Sequence, residues 1–173
     1  NDKRKKPKSI SRSFLNGTNV EVIIEFGLES PDSIAVDWIA KNIYWSDSVL
    51  KRIYVSKSDG TSKRVILWKN LGIPNQIVLD PPSGHIYWST SGEYPVIERA
   101  CLDGSNREEF ISSDQVGSPN GLAVDYDLQR LYWTDTEKQV ISYTTLGRKP
   151  QIKTILHYTL YIIQISIMIK KNV

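Results

Sequence analysis

Three carboxylates recur at the ends of short apolar runs. Asp37 closes Ile34-Ala35-Val36, Asp80 closes Ile77-Val78-Leu79 and Asp125 closes Leu122-Ala123-Val124. Carboxylates converging on an axis could hold a calcium ion, and such an ion can polarise a water for hydrolysis. One carboxylate per repeat, always in the same place, argues for a turn cap instead, because a catalytic site breaks a repeat's symmetry. Other reactive side chains are sparse. Cys101 is the single cysteine, which excludes an internal disulfide framework and a multi-cysteine zinc site. The two histidines, His85 and His157, are too few for a histidine-rich metal centre. His85 is expected in a solvated turn, and Cys101 on a strand as a buried small hydrophobe. No Ser/His/Asp set, Gly-rich phosphate loop or carboxylate pair unique to one repeat is present. The chain reads as non-enzymatic, with no cofactor and no metal.

Composition is consistent with a folded protein. The 173 residues are 40% hydrophobic, which argues against wholesale disorder. The net charge of +3 comes from the ends: residues 1–8 hold five bases and one acid, and Lys170 and Lys171 add two bases. Residues 9–169 then carry 15 bases against 18 acids, so a nucleic-acid-binding face has little support. Ser9-Ile10-Ser11-Arg12-Ser13 follows the basic segment where a secretory signal would need an apolar run. The most apolar stretch, Tyr158 to Ile169, is twelve residues long. A membrane-spanning helix needs about 20. It reads as a buried or off-pattern tail, with a membrane anchor as the weaker alternative.

The elements that position these residues follow from an internal repeat. Tyr44-Trp45-Ser46-Asp47 recurs as Tyr87-Trp88-Ser89-Thr90 and Tyr132-Trp133-Thr134-Asp135, at spacings of 43 and 45. Pro31, Pro74 and Pro119 head the three apolar runs at the same two spacings. Asp59-Gly60 and Asp103-Gly104 are 44 apart, with a degenerate copy at Leu146-Gly147. A period near 44 fits propellers and helical arrays. The short apolar runs read as strands buried on both faces, and no segment keeps a helical period. Arg52–Val55, Val96–Arg99 and Gln139–Ser142 read as third strands, and Arg64–Leu67 and Glu109–Ile111 as fourth strands. Four antiparallel strands per repeat make one propeller blade.

Within such a blade, Tyr and Trp on strand two point to opposite faces and fill the wedges to the two neighbouring blades. Asp47 and Asp135 close that strand and are expected to pair with third-strand bases such as Arg52. Loops before strand one and after strand two fall on one face. That face collects Asp32, Asn75, Glu93, Tyr94, Ser118, Asn120 and Glu137, and its variation between repeats suits recognition.

The repeated residues resemble the YWTD (class B) repeats of the low-density lipoprotein receptor family, with Tyr132-Trp133-Thr134-Asp135 standing in full. The resemblance implies an all-β fold, here a partial six-bladed β-propeller of about three and a half four-stranded blades. Within the family, Arg64–Pro81, Gly92–Ala100 and Ser118–Leu122 are similar to the first propeller of the Wnt co-receptors, the low-density lipoprotein receptor-related proteins five and six. That likeness implies an extracellular module binding Wnt ligands and Asn-x-Ile peptides of secreted Dickkopf- or sclerostin-like antagonists. It places a ligand contact at Asn120 with an acidic surface near Asp32, and the loop face adds Asn75 and Glu93 as candidate contacts. The family's aromatics are replaced here by Ser91 and Ser118, and its Asp by Thr90. An endocytic or matrix protein binding lipoprotein or laminin-type partners is the related alternative. A calcium-dependent propeller hydrolase is the unrelated one.

The expected organisation is a basic segment 1–9, a blade remnant 10–30, blades 31–73, 74–118 and 119–156, and the tail 157–173. Asn16-Gly17-Thr18 is a glycosylation sequon at an expected turn, which suits a secreted compartment. The chain is expected to be part of a larger single-pass receptor ectodomain, with no membrane span in this segment.

Overall fold

Each Pro-led apolar run forms the inner strand of a four-stranded antiparallel sheet. The structure, a computed structural model, describes residues 8–147 and 150–157. The basic segment up to residue 7 and the apolar run from Tyr158 lie outside the described residues. A two-stranded sheet comes first, β1 (Ile10–Arg12) and β2 (Glu21–Ile24). Three sheets follow in simple up-and-down order. They are β3 (Pro31–Asp37), β4 (Asn42–Asp47), β5 (Arg52–Lys57) and β6 (Arg64–Leu67); β7 (Ile73–Asp80), β8 (His85–Ser91), β9 (Ile97–Cys101) and β10 (Glu108–Ile111); and β11 (Pro119–Asp125), β12 (Arg130–Asp135), β13 (Val140–Thr145) and β14 (Lys153–His157). The fold is all-β, a partial propeller of about three and a half blades.

Strand two works as its alternation requires. Tyr44 lies in a cluster with Ile77, Leu79 and Ile86 of the following blade, whereas Trp45 packs with Ile10 and Ile24 of the preceding one. Tyr87 and Trp88 divide in the same way between their two neighbours. The aromatic pair thus joins three sheets with two adjacent residues, and the interblade wedges are the core.

The Asp-Gly turns carry a constraint besides their conformation. Gly60 and Gly104 have φ of +84° and +88°. A Cβ on Gly60 would stand 2.0 Å from the Ile23 carbonyl oxygen of the preceding blade, and one on Gly104 would stand 2.4 Å from that of Ile66. Only glycine lets each hairpin tip rest on the neighbouring fourth strand. Gly104→Ala is expected to lower stability by about 2–4 kcal/mol through the clash and the backbone strain together. Gly84→Ala is the control, since Gly84 has φ of +71° but nothing within 4 Å of the added methyl. It should cost about 1 kcal/mol. Urea unfolding midpoints of the two variants measure the difference.

Several expected strand bounds move: Gln139, expected to open a third strand, lies in the turn before β13 with φ of +54°. Val96 lies in the loop before β9, because its amide donates to Thr90 Oγ1 at 3.2 Å and its carbonyl accepts the Thr90 amide at 2.9 Å.

Candidate functional site

The face carrying the loops before strand one and after strand two is built on carboxylate staples. Asp47, 0% exposed, accepts the amides of Glu29 at 2.7 Å, Ser30 at 3.1 Å and Leu50 at 2.9 Å. Asp135 does the same for Gly117 at 2.7 Å, Ser118 at 3.0 Å and Lys138 at 3.0 Å. Each carboxylate fixes both the loop entering its blade and the turn leaving strand two. The expected pairing with Arg52 is replaced by these amides, which donate charge-assisted hydrogen bonds to the buried carboxylate oxygens. In the middle blade Thr90 stands at this position, and its hydroxyl bonds Val96. The staple on the entry loop is absent there, and the strand-two loop runs on through Gly92, Glu93 and Tyr94 with Tyr94 72% exposed.

Hydroxyls join the blades at the same face. Ser46 Oγ donates to the Asn75 carbonyl at 2.6 Å, and Ser89 Oγ to the Asn120 carbonyl at 3.3 Å. The Ile77 amide donates to Ser33 Oγ at 3.1 Å. The two asparagines therefore sit on consecutive inner strands with their backbones pinned from the preceding blade. Asn120 is exposed and Asn75 half-buried. Asp32 is exposed on β3 beside them, with its Oδ2 accepting the Ser48 amide at 3.2 Å. Glu93 stands apart. It lines a groove of about 480 Å³ with Lys51, Ile73, Tyr94, Arg107 and Glu109, a groove whose walls hold none of the other three residues. The groove floor is the Glu98–Arg107 ion pair at 2.8 Å, with Trp88 Nε1 donating to Glu98 at 3.0 Å. Arg107 reaches back to the carbonyls of Lys69 and Asn70. Sequence reasoning missed the hydroxyl ties and the amide staples. The recurrence of Ser46, Ser89 and Thr134 immediately after each Trp was the available signal.

The repeated inner-strand carboxylates are at the opposite face. Asp37 Oδ1 caps its turn through the amides of Ile39 at 2.9 Å and Ala40 at 3.0 Å, and Asp125 through those of Asp127 and Leu128. Asp80 departs from this pattern. It is 0% exposed and neither oxygen has a protein donor, because Pro82 occupies the position that supplies the first amide elsewhere. Pro82→Ala is expected to raise stability by about 1 kcal/mol, the gain of a charge-assisted bond less the lost proline rigidity. Equilibrium denaturation reads this directly, and an unchanged or lower midpoint contradicts it. His85 is half-buried at the start of β8, not in a solvated turn, and its Nδ1 is buried without a partner. Burial first, and then Arg99, hold its imidazole below the ordinary value. Burial, with Asp80 nearby, pushes the Tyr126 phenol up to about 12. Its hydroxyl donates to the Leu79 carbonyl at 2.9 Å.

Cys101 ends β9, half-buried, with Asn106 Nδ2 donating to its sulfur at 3.4 Å. Asn16 is exposed in a turn, its Oδ1 accepting the Thr18 amide at 3.0 Å and hydroxyl at 2.7 Å. Among the described residues no three His, Cys, Asp or Glu side chains converge as a metal site, and no helix is long and apolar enough to cross a membrane.

Comparison with known proteins agrees with this geometry. The family described as low-density lipoprotein receptor repeat class B matches residues 41–81 and 84–126. Low-density lipoprotein receptor-related protein 5 of Mus musculus is 52% identical over 146 residues, which are 84% of this chain and 9% of that protein. The vitellogenin receptor Yl of Drosophila melanogaster is 41% identical over 130 residues, 75% of this chain and 6% of that protein. A chain in the crystal structure of a nidogen/laminin complex superposes with a TM-score of 0.78 at 37% identity, over 87% of this chain and 58% of that one. The present sequence thus spans a small part of the curated relatives it matches. On the family match, the 52% identity to low-density lipoprotein receptor-related protein 5 and the repeated Tyr-Trp strands, the chain belongs to the low-density lipoprotein receptor class B (YWTD) repeat propellers.

Proposed function

We propose that the chain is an extracellular protein-binding propeller segment of the Wnt co-receptor kind, taking Wnt ligands or Dickkopf- and sclerostin-like antagonists on its loop face. The observation that carries this reading is the display of Asn75 and Asn120 on adjacent inner strands, each with its backbone fixed by a hydroxyl from the preceding blade. Pinned polar groups on one rim can bind an extended peptide with little ordering cost. The 52% identity to low-density lipoprotein receptor-related protein 5 supports it. Asn120 is the principal contact, Asn75 lies next to it on the preceding inner strand and Asp32 one blade further on, and Glu93 serves the separate groove. The segment lies on the outer side of the plasma membrane as part of a larger receptor, and Asn16 carries a glycan. It performs no catalysis: Asp37 and Asp125 spend their carboxylates on turn amides.

The test is capture of the chain by an immobilised Asn-x-Ile peptide from a Dickkopf- or sclerostin-like antagonist. Asn120→Ala is expected to weaken capture at least about tenfold, the cost of a central polar contact. Absence of capture, or capture indifferent to this substitution, overturns the peptide assignment. A matrix role is the second reading, favoured by the likeness to the chain in the nidogen/laminin complex. Binding to a laminin fragment in the absence of any antagonist binding would select it.

A further inference from the structure

We propose that Asn120–Gly121 is a deamidation site and that the Thr134 hydroxyl is the gate that holds it shut. The site is independent of which ligand Asn120 contacts.

An asparagine followed by glycine is the step most open to this reaction, because glycine has no side chain to hinder ring closure. The chain has two such steps, Asn16-Gly17 and Asn120-Gly121. At the second, the Gly121 amide nitrogen attacks Asn120 Cγ. The N–Cγ bond forms as the Cγ–Nδ2 bond breaks, the Gly121 amide proton passes through solvent to the leaving nitrogen, and ammonia departs. One water then opens the succinimide ring at either carbonyl and leaves aspartate or isoaspartate. Water in and ammonia out balance the step, and no oxidant or reductant takes part.

The strand register sets this peptide outside the ladder. Pro119 pairs with Asp135 and Leu122 with Trp133, so Asn120 and Gly121 together face Thr134 alone, as a bulge. There the Gly121 amide donates to Thr134 Oγ1 at 2.9 Å, and the Asn120 carbonyl accepts Ser89 Oγ at 3.3 Å. Hydroxyls thus hold both ends of the peptide within β11. Ring closure needs the Gly121 nitrogen stripped of its proton and turned toward Cγ. Its bond to Thr134, which is 5% exposed, opposes both. Asn120 itself is exposed, so water reaches its side chain. Asn16-Gly17 is the contrast. It lies in an exposed turn, where the glycine amide donates at 2.9 Å to the carbonyl of Phe14, a residue 62% exposed. Asn75 occupies the same bulge one blade earlier, but there Gln76 follows. Opening the gate replaces the Asn120 amide, a donor and acceptor, by an acceptor-only carboxylate on the loop face.

The full chain, made in a bacterial host so that Asn16 carries no glycan, is incubated in mildly alkaline buffer. Peptide mapping by mass spectrometry follows aspartate and isoaspartate at each position. In the folded chain Asn120 is expected to convert at least about tenfold more slowly than Asn16, and in urea at a comparable rate. The Gly121 amide should exchange with solvent at least about tenfold more slowly than that of Gly17, a reading that needs no substitution. Thr134→Ala and Thr134→Ser both lose the methyl group and differ only in the hydroxyl. The alanine variant should convert Asn120 at least about tenfold faster than the serine variant, with Asn16 unchanged in both. Circular dichroism verifies the fold, and amide exchange at residues 122–124 separates local release from opening of the blade. Four results overturn the proposal: Asn120 converting as fast as Asn16 in the folded chain, a Gly121 amide as labile as that of Gly17, equal rates in the alanine and serine variants, or an acceleration matched by faster exchange at residues 122–124.

Discussion

Asp47→Ala is expected to destabilise the chain by about 3–4 kcal/mol, among the largest effects of any single polar substitution here. The carboxylate accepts three amides from two loops, at 2.7, 2.9 and 3.1 Å. Removing it leaves the amides of Glu29, Ser30 and Leu50 without their charged acceptor, and the loop entering β3 keeps only the Ser48 amide bonds as its tie to the end of strand two. Asp47→Asn keeps one acceptor oxygen and is expected to cost about half as much. Because the loop face depends on this staple, the alanine variant should also expose the loop at Glu29–Asp32 to limited proteolysis before global unfolding. Chemical denaturation gives the magnitude, and a proteolytic time course gives the locality. A loss below 1 kcal/mol would mean that packing and the Ser48 amide bonds to Ser30 and Asp32 hold the loop without the carboxylate.

Trp88→Ala is expected to cost about 4 kcal/mol. The side chain is fully buried between two blades, and its indole N–H donates to Glu98, which Arg107 grips from the loop just before β10. Truncation opens a cavity and strips a donor from a buried ion pair, a combination whose costs add. Trp45 supplies the internal comparison. It is equally buried, but its Nε1 has no hydrogen-bond partner, and Tyr54 stacks on it at a centroid distance of 5.2 Å. Trp45→Phe should therefore cost less than Trp88→Phe by about 1 kcal/mol, since only the latter loses a bond to a charged group. Thermal melts of the two phenylalanine variants under one buffer test the ordering, and equal losses would contradict it.

The repeat made the architecture legible, because the interblade wedge needs the same aromatic pair each time and that need is written three times in the chain. Arg64–Leu67 forms a strand with the bounds read from sequence, and Tyr44 and Trp45 divide between neighbours as strand alternation requires. The turn caps of Asp37 and Asp125 were equally readable from their position. Asp80 was not, since its identity matches the repeat while Pro82 silently removes the donor. Asp47 misled for a different reason. Arg52 faces it across the strand pair, but amides from a loop 17 and 18 residues away approach its oxygens more closely. Sequence spacing identifies neighbours along a strand and says little about which loop folds over its end. Glu93 shared a face with Asn120 in the sequence reading, and the radial spread of the blades set it in another groove.

The central claim is that the loop face binds protein ligands. Amide-exchange footprinting of the chain against a secreted antagonist or Wnt ligand tests it most directly. Protection is expected in the loops at residues 28–33, 71–76, 90–95 and 117–120, with the opposite turns at 38–41, 81–84 and 126–129 unchanged. Protection confined to those opposite turns or to the outer strands would contradict the account.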